Sequence, residues 1–540
     1  MFAEGELLAL ADVAEVTVVS KSMVAHFLAT GAGAFAAAAI SSIVLTMLVR
    51  RLAPMVGLVD RPDAHRKLHN RVVPLGGGAA VFLSSALVVL GLMFIPNYFQ
   101  DIVWAVRSEC LVFLLAGAII VVVGLIDDRI ALRGRYKLLG QTVAASVLMA
   151  GGLVIHNIGI FGWEISLGWL AIPFTLFWLL GAINSVNLLD GIDGLATVLG
   201  FIMVGTIAAM GVLVGNMPVA ILGLVFAGSL LGFLRLNLPP ASVFLGDAGS
   251  MLIGMVVGAL AIRGALKGAG TVLLAAPLAV WTIPILDSLA AILRRKLTGR
   301  SIYTTDRGHL HHRLLDMLGS NSKVLVWIGA FCAVTSAGTL LSVFLKSDMI
   351  ALVVCSALVI ILVATGVFGR AEWALLTTRF RHLGRALVER PEPQSRVRQE
   401  TIRLQGNRPW ELLWASLTES AEKFGLIQIR LDLNLPRQHE GYHAFWECPN
   451  AEKAKQCWRM EIPLTLADQS VGYLKLAGAR NGHTVCEEIE RIMTMLEPFE
   501  TQLRTMVHDR VAAAGGNGEL VAVGAADEGQ IVLVDQAHPR

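Results

Sequence analysis

The sequence predicts an all-α polytopic membrane protein of about eleven transmembrane helices, followed by a small soluble α+β C-terminal domain. Three observations predict it. Apolar runs of membrane-spanning length recur through the first 369 residues, and basic residues crowd every second connection between them. Beyond residue 369 the composition becomes that of an ordinary soluble protein. The averages agree: 55% hydrophobic residues, 16% charged residues and a mean hydropathy of +0.65 exclude a wholly soluble enzyme. A net charge of +3 is too small to argue for nucleic acid as a partner. The 6 cysteines are scattered, with neither zinc-site spacing nor a disulfide framework.

The apolar runs lie near 24–49, 79–96, 111–126, 138–155, 167–183, 197–214, 218–234, 248–263, 271–292, 324–345 and 349–368. The sixth and seventh are divided only by Gly215, Asn216 and Met217-Pro218, and merging them would invert every later loop. Acidic Glu4, Glu6, Asp12 and Glu15 precede the first run, so the start does not read as a cleaved signal peptide.

Loop charge tests the count. Odd-numbered connections carry Arg50, Arg51, Arg61, Arg66, Lys67 and Arg71, then Arg129, Arg133, Arg135 and Lys137, then Arg235, then Arg294 to Lys323. Even-numbered connections carry only Arg107, Arg263, Lys267 and Lys346. The positive-inside rule then places the odd loops in the cytoplasm, the N-terminus outside and the C-terminus inside.

Four ranges follow: a membrane domain at 1–369, a basic juxtamembrane linker at 370–408, a soluble α+β domain at 409–511 and a disordered tail at 512–540. In the soluble domain Trp410–Phe424 has helical spacing. Strand alternation follows at Ile427–Leu433, Tyr442–Trp446, Trp458–Leu464 and Val471–Leu476, and a second helix fits Val485–His508.

The polar residues that matter gather in the odd connections. Asp127, Asp128, Asp190, Asp193 and Asp247 supply carboxylates, and Asn187 supplies a neutral carbonyl. Carboxylates at the edge of hydrocarbon are costly to keep. Lys137 and nearby arginines suit phosphate oxygens. His309, His311 and His312 can donate to a pyrophosphate or a sugar, and no thiolate or neighbouring Glu completes a transition-metal site around them. This set suggests phosphate chemistry assisted by a hard divalent cation, which takes one or two protein oxygens plus water and phosphate.

At this point the motifs resemble those of the polyprenyl-phosphate N-acetylhexosamine-1-phosphate transferase superfamily (MraY/WecA/TagO-like). The matching pieces are Arg66-Lys-Leu-His69 with Pro74 and Gly77-Gly78, Gly124-Leu-Ile-Asp-Asp-Arg129, and Lys137 with Gly140-Gln141. Further on come Asn187-Leu-Leu-Asp-Gly-Ile-Asp-Gly-Leu195, Phe244-Leu-Gly-Asp-Ala-Gly-Ser250, Pro284 with Asp287, and Asp306-Arg-Gly-His-Leu-His-His312. Seven motifs in the family's order, over roughly residues 50–320, make the resemblance specific. The separated His-Leu-His-His and the eleven runs look more like the WecA/TagO branch, which acts on undecaprenyl phosphate with a GlcNAc donor.

The resemblance implies transfer of a sugar 1-phosphate from a UDP-N-acetylhexosamine to undecaprenyl phosphate at the inner membrane, with Mg²⁺, or Mn²⁺ in its place, as cofactor. Carried over, Asp247 and Asn187 would hold the metal, and Asp127 and Asp128 would sit where the lipid phosphate arrives. Lys137 would neutralise phosphate charge, and Asp190 and Asp193 would place the nucleotide. His309, His311 and His312 would contact the donor, and Arg66, Lys67, His69 and Arg307 would bind substrate. Membrane lipids are the implied surroundings, and a homodimer is common among such proteins, although no feature of this sequence establishes one.

Two departures narrow the carry-over. Leu75 stands where relatives often have a basic residue, and Asp127-Asp128 lacks the third acid of some relatives' Asp-Asp-x-x-Asp form, which favours Asp247 as the metal ligand. Asp287, near one end of the ninth run, is expected to pair with Arg294 or Arg295. Two other readings compete with the transferase. A transporter would need acids near mid-bilayer and groups on both faces. An anchored sensor would place the function in the C-terminal domain, whose expected two helices and four strands resemble GAF- or PAS-like modules.

Overall fold

The computed structural model describes residues 3–514 apart from 62–71, 161–162, 266–280, 298–307, 371, 375, 378–379, 381–397, 406–407, 436–439, 449–456, 467–468 and 480–484. The chain divides into two compact units, one reaching to Arg390 and the other beginning at Pro391.

The first unit is helical. Its elements are α1 (Ala3–Leu52), α2 (Gly77–Phe94), the short α3 (Gln100–Ala105), α4 (Arg107–Ile130), α5 (Gly134–Ala150), α6 (Ala171–Leu189) and α7 (Leu195–Leu213). They continue as α8 (Met217–Asn237), α9 (Gly246–Ala265), α10 (Thr282–Leu297), α11 (Leu310–Leu318), α12 (Asn321–Phe344) and α13 (Asp348–Ala364). Among the described residues 8 helices are long and apolar enough to cross a membrane, fewer than the eleven expected. Three of the expected runs are not among these eight. The run at 138–155 gives only the 17 residues of α5, the run at 349–368 gives the 17 of α13, and the run at 271–292 lies partly outside the described residues. The doubtful sixth and seventh runs are separate: α7 and α8 are joined by Val214-Gly215-Asn216, where Gly215 takes φ 72. A Cβ on Gly211 would press on the Ala220 backbone, so the two helices lie tightly side by side.

The most buried of the eight spans is α9, with Met251, Ile253 and Met255 fully enclosed. Neighbouring helices reach its backbone through glycine. A Cβ at Gly124 of α4 would overlap Ala248, and one at Gly78 of α2 would overlap Gly249. Close backbone approach of this kind lets van der Waals packing hold helices together where lipid gives no hydrophobic drive. It also sets the end of α4 against the start of α9, where the acids lie. Two small ribbons complete the unit. Strand β1 (Val59–Asp60) pairs with β2 (Val73–Pro74), and β3 (Asn157–Ile160) pairs with β4 (Trp163–Ser166), a hairpin that hydropathy did not anticipate.

The second unit is a five-stranded antiparallel sheet in the order β5-β7-β6-β9-β8, from β5 (Arg398–Gln405), β6 (Leu426–Leu435), β7 (Glu440–Glu447), β8 (Cys457–Leu466) and β9 (Gln469–Ala479). Helices α14 (Trp410–Lys423) and α15 (Val485–Ala514) cover one face, over a core that includes Trp410, Trp414, Leu431, Tyr442, Leu474 and Phe499. Residues 398–405, expected within a linker, form the edge strand paired with β7. The expected disordered tail lies outside the described residues from 515 onward, as does most of the expected linker.

Candidate active site

The end of α4 presents two adjacent carboxylates that do different things. Asp127 sits in the last turn, where Ala131 takes the left-handed conformation (φ 48) and the chain leaves the helix. One oxygen of Asp127 accepts from the backbone N–H of Leu132 (2.7 Å), and the other meets the Lys137 ammonium at 2.8 Å. Asp128 turns to α9 instead. Its Oδ1 accepts from the backbone N–H of Asp247 at 2.7 Å and its Oδ2 from that of Ala248 at 3.4 Å. A carboxylate there satisfies N–H groups that the first turn of a helix leaves free, and it matches the positive end of the helix dipole. Gly246, at φ 74, brings the chain so close that a Cβ would press on the Asp128 carboxylate. A glycine is required on both counts.

Asp247 therefore projects from a capped helix start. Its Oδ2 lies 3.0 Å from Lys137 Nζ, and its Oδ1 accepts from Asn187 Nδ2 at 2.6 Å. Lys137, in the first turn of α5, thus bridges Asp127 and Asp247. Asn187 Nδ2 also donates to Ser250 Oγ at 2.8 Å, one turn along α9. Behind it Gln141 and Asn184 exchange amide hydrogen bonds (2.8 and 3.3 Å), tying α5 to α6. Asp247 is more open than Asp127: its side chain is 35% exposed against 7%.

Asp190 follows the last residue of α6. Burial first, and then the charges of Asp247, Asp128 and Asp193, push its carboxyl well above the usual carboxylate range, with Lys137 opposing. Asp193 is partly spent on structure, since its Oδ2 accepts from the backbone N–H of Ala241 at 2.9 Å.

The histidines form a second wall. His311 is 1% exposed, and a Cβ on Gly191, next to Asp190, would collide with its ring. Neither of its nitrogens has a hydrogen-bond partner among the described residues. Burial dominates and lowers its pKa to about 4, so the ring is neutral at physiological pH. His309 stacks on it at 5.7 Å and His312 lies tilted against it at 4.3 Å. His309 Nδ1 is 2.8 Å from Asp287 Oδ2, and Asp287 Oδ1 accepts from the Leu310 N–H at 2.7 Å. The expected pairing of Asp287 with an arginine of its own helix is thereby corrected: Arg294 pairs with Glu372, and Asp287 reaches the histidine loop.

Asp127, Asp128, Lys137, Asn187 and Asp247 thus form one hydrogen-bonded group, with Asp190 within electrostatic reach and His311 against its neighbour Gly191. Arg66, Lys67, His69 and Arg307 lie outside the described residues, although the β1–β2 ribbon brackets the first three. Ser250 and Asp287 were absent from the expected site. Both stood in quoted motifs, and the three-residue spacing of Asp247 and Ser250 on one helix was the available signal for the first. No group of three or more acid, His or Cys side chains forms a metal cage among the described residues. The oxygens of Asp247 and Asn187 do suit a cation that needs only one or two protein ligands, since Asn187 donates through nitrogen and keeps its carbonyl.

Comparison with known proteins bears on the family. The profile of glycosyl transferase family 4 matches residues 110–265, which run from α4 through α9. The chain is 34% identical over 296 residues to a probable undecaprenyl-phosphate N-acetylglucosaminyl 1-phosphate transferase of Bacillus subtilis, covering 54% of this chain and 80% of the relative. It is 36% identical over 351 residues to a decaprenyl-phosphate N-acetylglucosaminephosphotransferase of Mycobacterium tuberculosis, covering 61% and 86%. A third relative, an undecaprenyl-phosphate alpha-N-acetylglucosaminyl 1-phosphate transferase of Escherichia coli O157:H7, is 32% identical over 305 residues, covering 54% and 77%. Sequence motifs, the geometry that unites them and these relatives agree: the chain is a multi-pass membrane protein of the WecA/MraY-like polyprenyl-phosphate N-acetylglucosaminyl-1-phosphate transferase superfamily, glycosyl transferase family 4.

Proposed function

We propose that this protein transfers N-acetylglucosamine 1-phosphate from UDP-N-acetylglucosamine to undecaprenyl phosphate, releasing UMP and starting a lipid-linked cell-envelope glycan. The observation that carries this reading is the Lys137 ammonium held between Asp127 and Asp247. It is a fixed positive charge, flanked by acids, in a chain whose relatives are named for that transfer. The site faces the cytoplasm in this reading, because its loops carry the basic excess.

Two anionic phosphates must meet, so charge stabilisation is the main task. Lys137 would swing one N–H from a carboxylate to an incoming phosphate oxygen. Asp247 and Asn187 would hold Mg²⁺, or Mn²⁺ in its place. Once bound, such a cation would draw charge off the donor pyrophosphate. Asp128 orients Asp247 by capping its helix and would not itself touch substrate. Asp127 would position the lipid phosphate rather than deprotonate it, because a phosphate monoester with a second pKa of about 6 is already largely ionised. One oxygen of that phosphate bonds to the β-phosphorus of the donor, the bond to the UMP oxygen breaks, and UMP leaves with the electron pair. Asp190, whose raised pKa favours the protonated acid, would donate to the nucleotide. Asp193, His309, His311 and His312 would complete the donor pocket, and Arg66, Lys67, His69 and Arg307 would bind substrate.

One phosphoanhydride replaces another, so the reaction is nearly balanced. Membranes carrying the full chain, given Mg²⁺, undecaprenyl phosphate and a panel of UDP-sugars, should release UMP with UDP-N-acetylglucosamine and exchange labelled UMP into it. Uptake of the sugar nucleotide into vesicles without a lipid product would overturn the reading in favour of transport.

A further inference from the structure

We propose that Asp287 is a positioning residue for the transfer: it fixes the His309 ring with its proton on Nδ1, so that Nε2 is the nitrogen the ring offers to the sugar nucleotide. The proposal rests on the reading of the histidine loop as part of the donor pocket.

Asp287 is 0% exposed on α10, in a stretch otherwise dominated by apolar side chains. An ionised carboxylate is not kept there without strong partners. Its two oxygens go to one place, the start of α11: Oδ2 to His309 Nδ1 at 2.8 Å and Oδ1 to the Leu310 N–H at 2.7 Å. His309 is the residue immediately before α11, and its own side chain makes no capping bond. Asp287 supplies from another helix the acceptor that a capping side chain would supply locally. The same carboxylate therefore fixes both the backbone and the ring.

An ionised carboxylate only accepts hydrogen bonds, so Nδ1 must carry the proton in this pair and Nε2 is left as the second functional atom. The constraint passes along the stack. The His309 and His311 rings are almost parallel, 12° apart, and His311 rests on Gly191 beside Asp190. Two turns along α10, the Arg294 guanidinium lies so close beneath Gly308 that a Cβ there would collide with it. The loop is thus seated on α10 at two points, one on each side of His309. A pair that served stability alone could be replaced by well-packed apolar residues. What apolar residues cannot do is choose the ring's tautomer.

The test measures UMP release by the full-length protein, with UDP-N-acetylglucosamine and undecaprenyl phosphate varied separately, for Asp287→Asn, His309→Ala and the double variant. Asparagine keeps the shape and an acceptor for Leu310, but it offers an N–H to His309 Nδ1 and forces the other tautomer. Expected is a loss of about 10- to 100-fold in kcat/KM for the sugar nucleotide. The KM for the lipid phosphate should stay unchanged, and no further loss should appear in the His309→Ala background. Losses that multiply, or a lipid-phosphate KM that moves as much as the donor's, would overturn the proposal. Should Asp287→Asn fail to fold, the exchanged pair Asp287→His with His309→Asp restores a buried acid–imidazole bond without a ring at 309. It should fold and be as inactive as His309→Ala, and recovered turnover would overturn the proposal. His309→Ala at the wild-type rate would instead overturn the donor-pocket reading itself. A slow His309→Ala beside an unimpaired Asp287→Asn would overturn only the role of Asp287.

Discussion

The acidic wall and the histidine wall of the site differ in how much of their polar chemistry is already committed to the protein. In the acidic wall both oxygens of Asp127, Asp128 and Asp247 have partners, and Asn187 donates twice. In the histidine wall His309 is anchored by Asp287, but the two nitrogens of His311 have no partner among the described residues. The first wall is pre-organised, its charges held near their working places before substrate arrives. The second keeps a neutral, desolvated ring whose hydrogen-bonding capacity is unspent among the described residues. A phosphate reader needs the first kind of wall. A reader of neutral hydroxyl and amide groups can use the second, since a bond made in a dry pocket meets little competition from water.

Breaking the acidic wall should have the largest effect. Asp247→Asn keeps the volume and the bond from Asn187 but removes the charge opposite Lys137. Turnover should fall about 10³-fold, or ~4 kcal/mol of transition-state stabilisation, on the scale of losing one pre-organised electrostatic contact. Yield and thermal unfolding in detergent should stay close to wild type, because the cap on α9 depends on Asp128 and the backbone, not on this side chain. Turnover within tenfold of wild type would remove Asp247 from the centre of the site.

Much of this was legible in the sequence, and the parts that were not share a cause. The positions of α7 and α8 and the two helices of the C-terminal unit follow from local patterns of hydropathy and spacing, whereas the grouping of Asp127, Lys137, Asn187 and Asp247 was expected only from the family resemblance. Pairing between distant segments leaves no local trace. Nothing near Asp128 says that its partner is the backbone of Asp247, 119 residues away, and nothing near Asp287 points to His309, 22 residues on. Strand β5 was missed for a related reason. Arg398-Gln-Glu-Thr-Ile-Arg-Leu-Gln405 reads as a basic linker because edge strands keep charged residues that discourage pairing with other chains. The alternation of Ile402 and Leu404 with Thr401, Arg403 and Gln405 was the weak signal that was there to find.

The histidine wall depends on a support that lies beyond the last apolar helix. Glu372 is buried and pairs with Arg294, with Arg313 at 3.7 Å from the same oxygen. Arg294 is the residue packed against Gly308. Cutting the chain after Phe368 should therefore differ from cutting it after Arg390, although neither leaves any of the second unit. The shorter chain loses the Glu372 carboxylate and should be less stable by about 3 kcal/mol, at the low end for a broken buried pair. The longer one should keep the wild-type unfolding temperature of the membrane unit. Equal unfolding temperatures would mean that Glu372 does not support the loop. The comparison also tests the C-terminal unit, whose core of its own makes it separable.

The smallest effect is the most specific to the difference between the walls. His311 titrates near pH 4 when folded against 6.5 for a free imidazole, chiefly because burial disfavours its charged form. Between these values the unfolded chain binds a proton that the folded one does not, so stability must rise with pH across this window and fall on acidification. From pH 7.5 down to 5 the loss should be about 2 kcal/mol. Asp190 works in the opposite direction: its raised pKa means that the folded state holds a proton the unfolded state has released, which favours the fold at low pH and fades as pH rises. A single pH profile mixes the two. Comparing the wild type with His311→Asn separates them, because Asp190 is common to both. The variant should start less stable, having lost a packed ring, yet fall less steeply between pH 6.5 and 4. Parallel profiles would mean that the folded His311 accepts its proton as readily as a free imidazole, and the contrast between a committed acidic wall and an uncommitted neutral one would then fail at the residue that defines it.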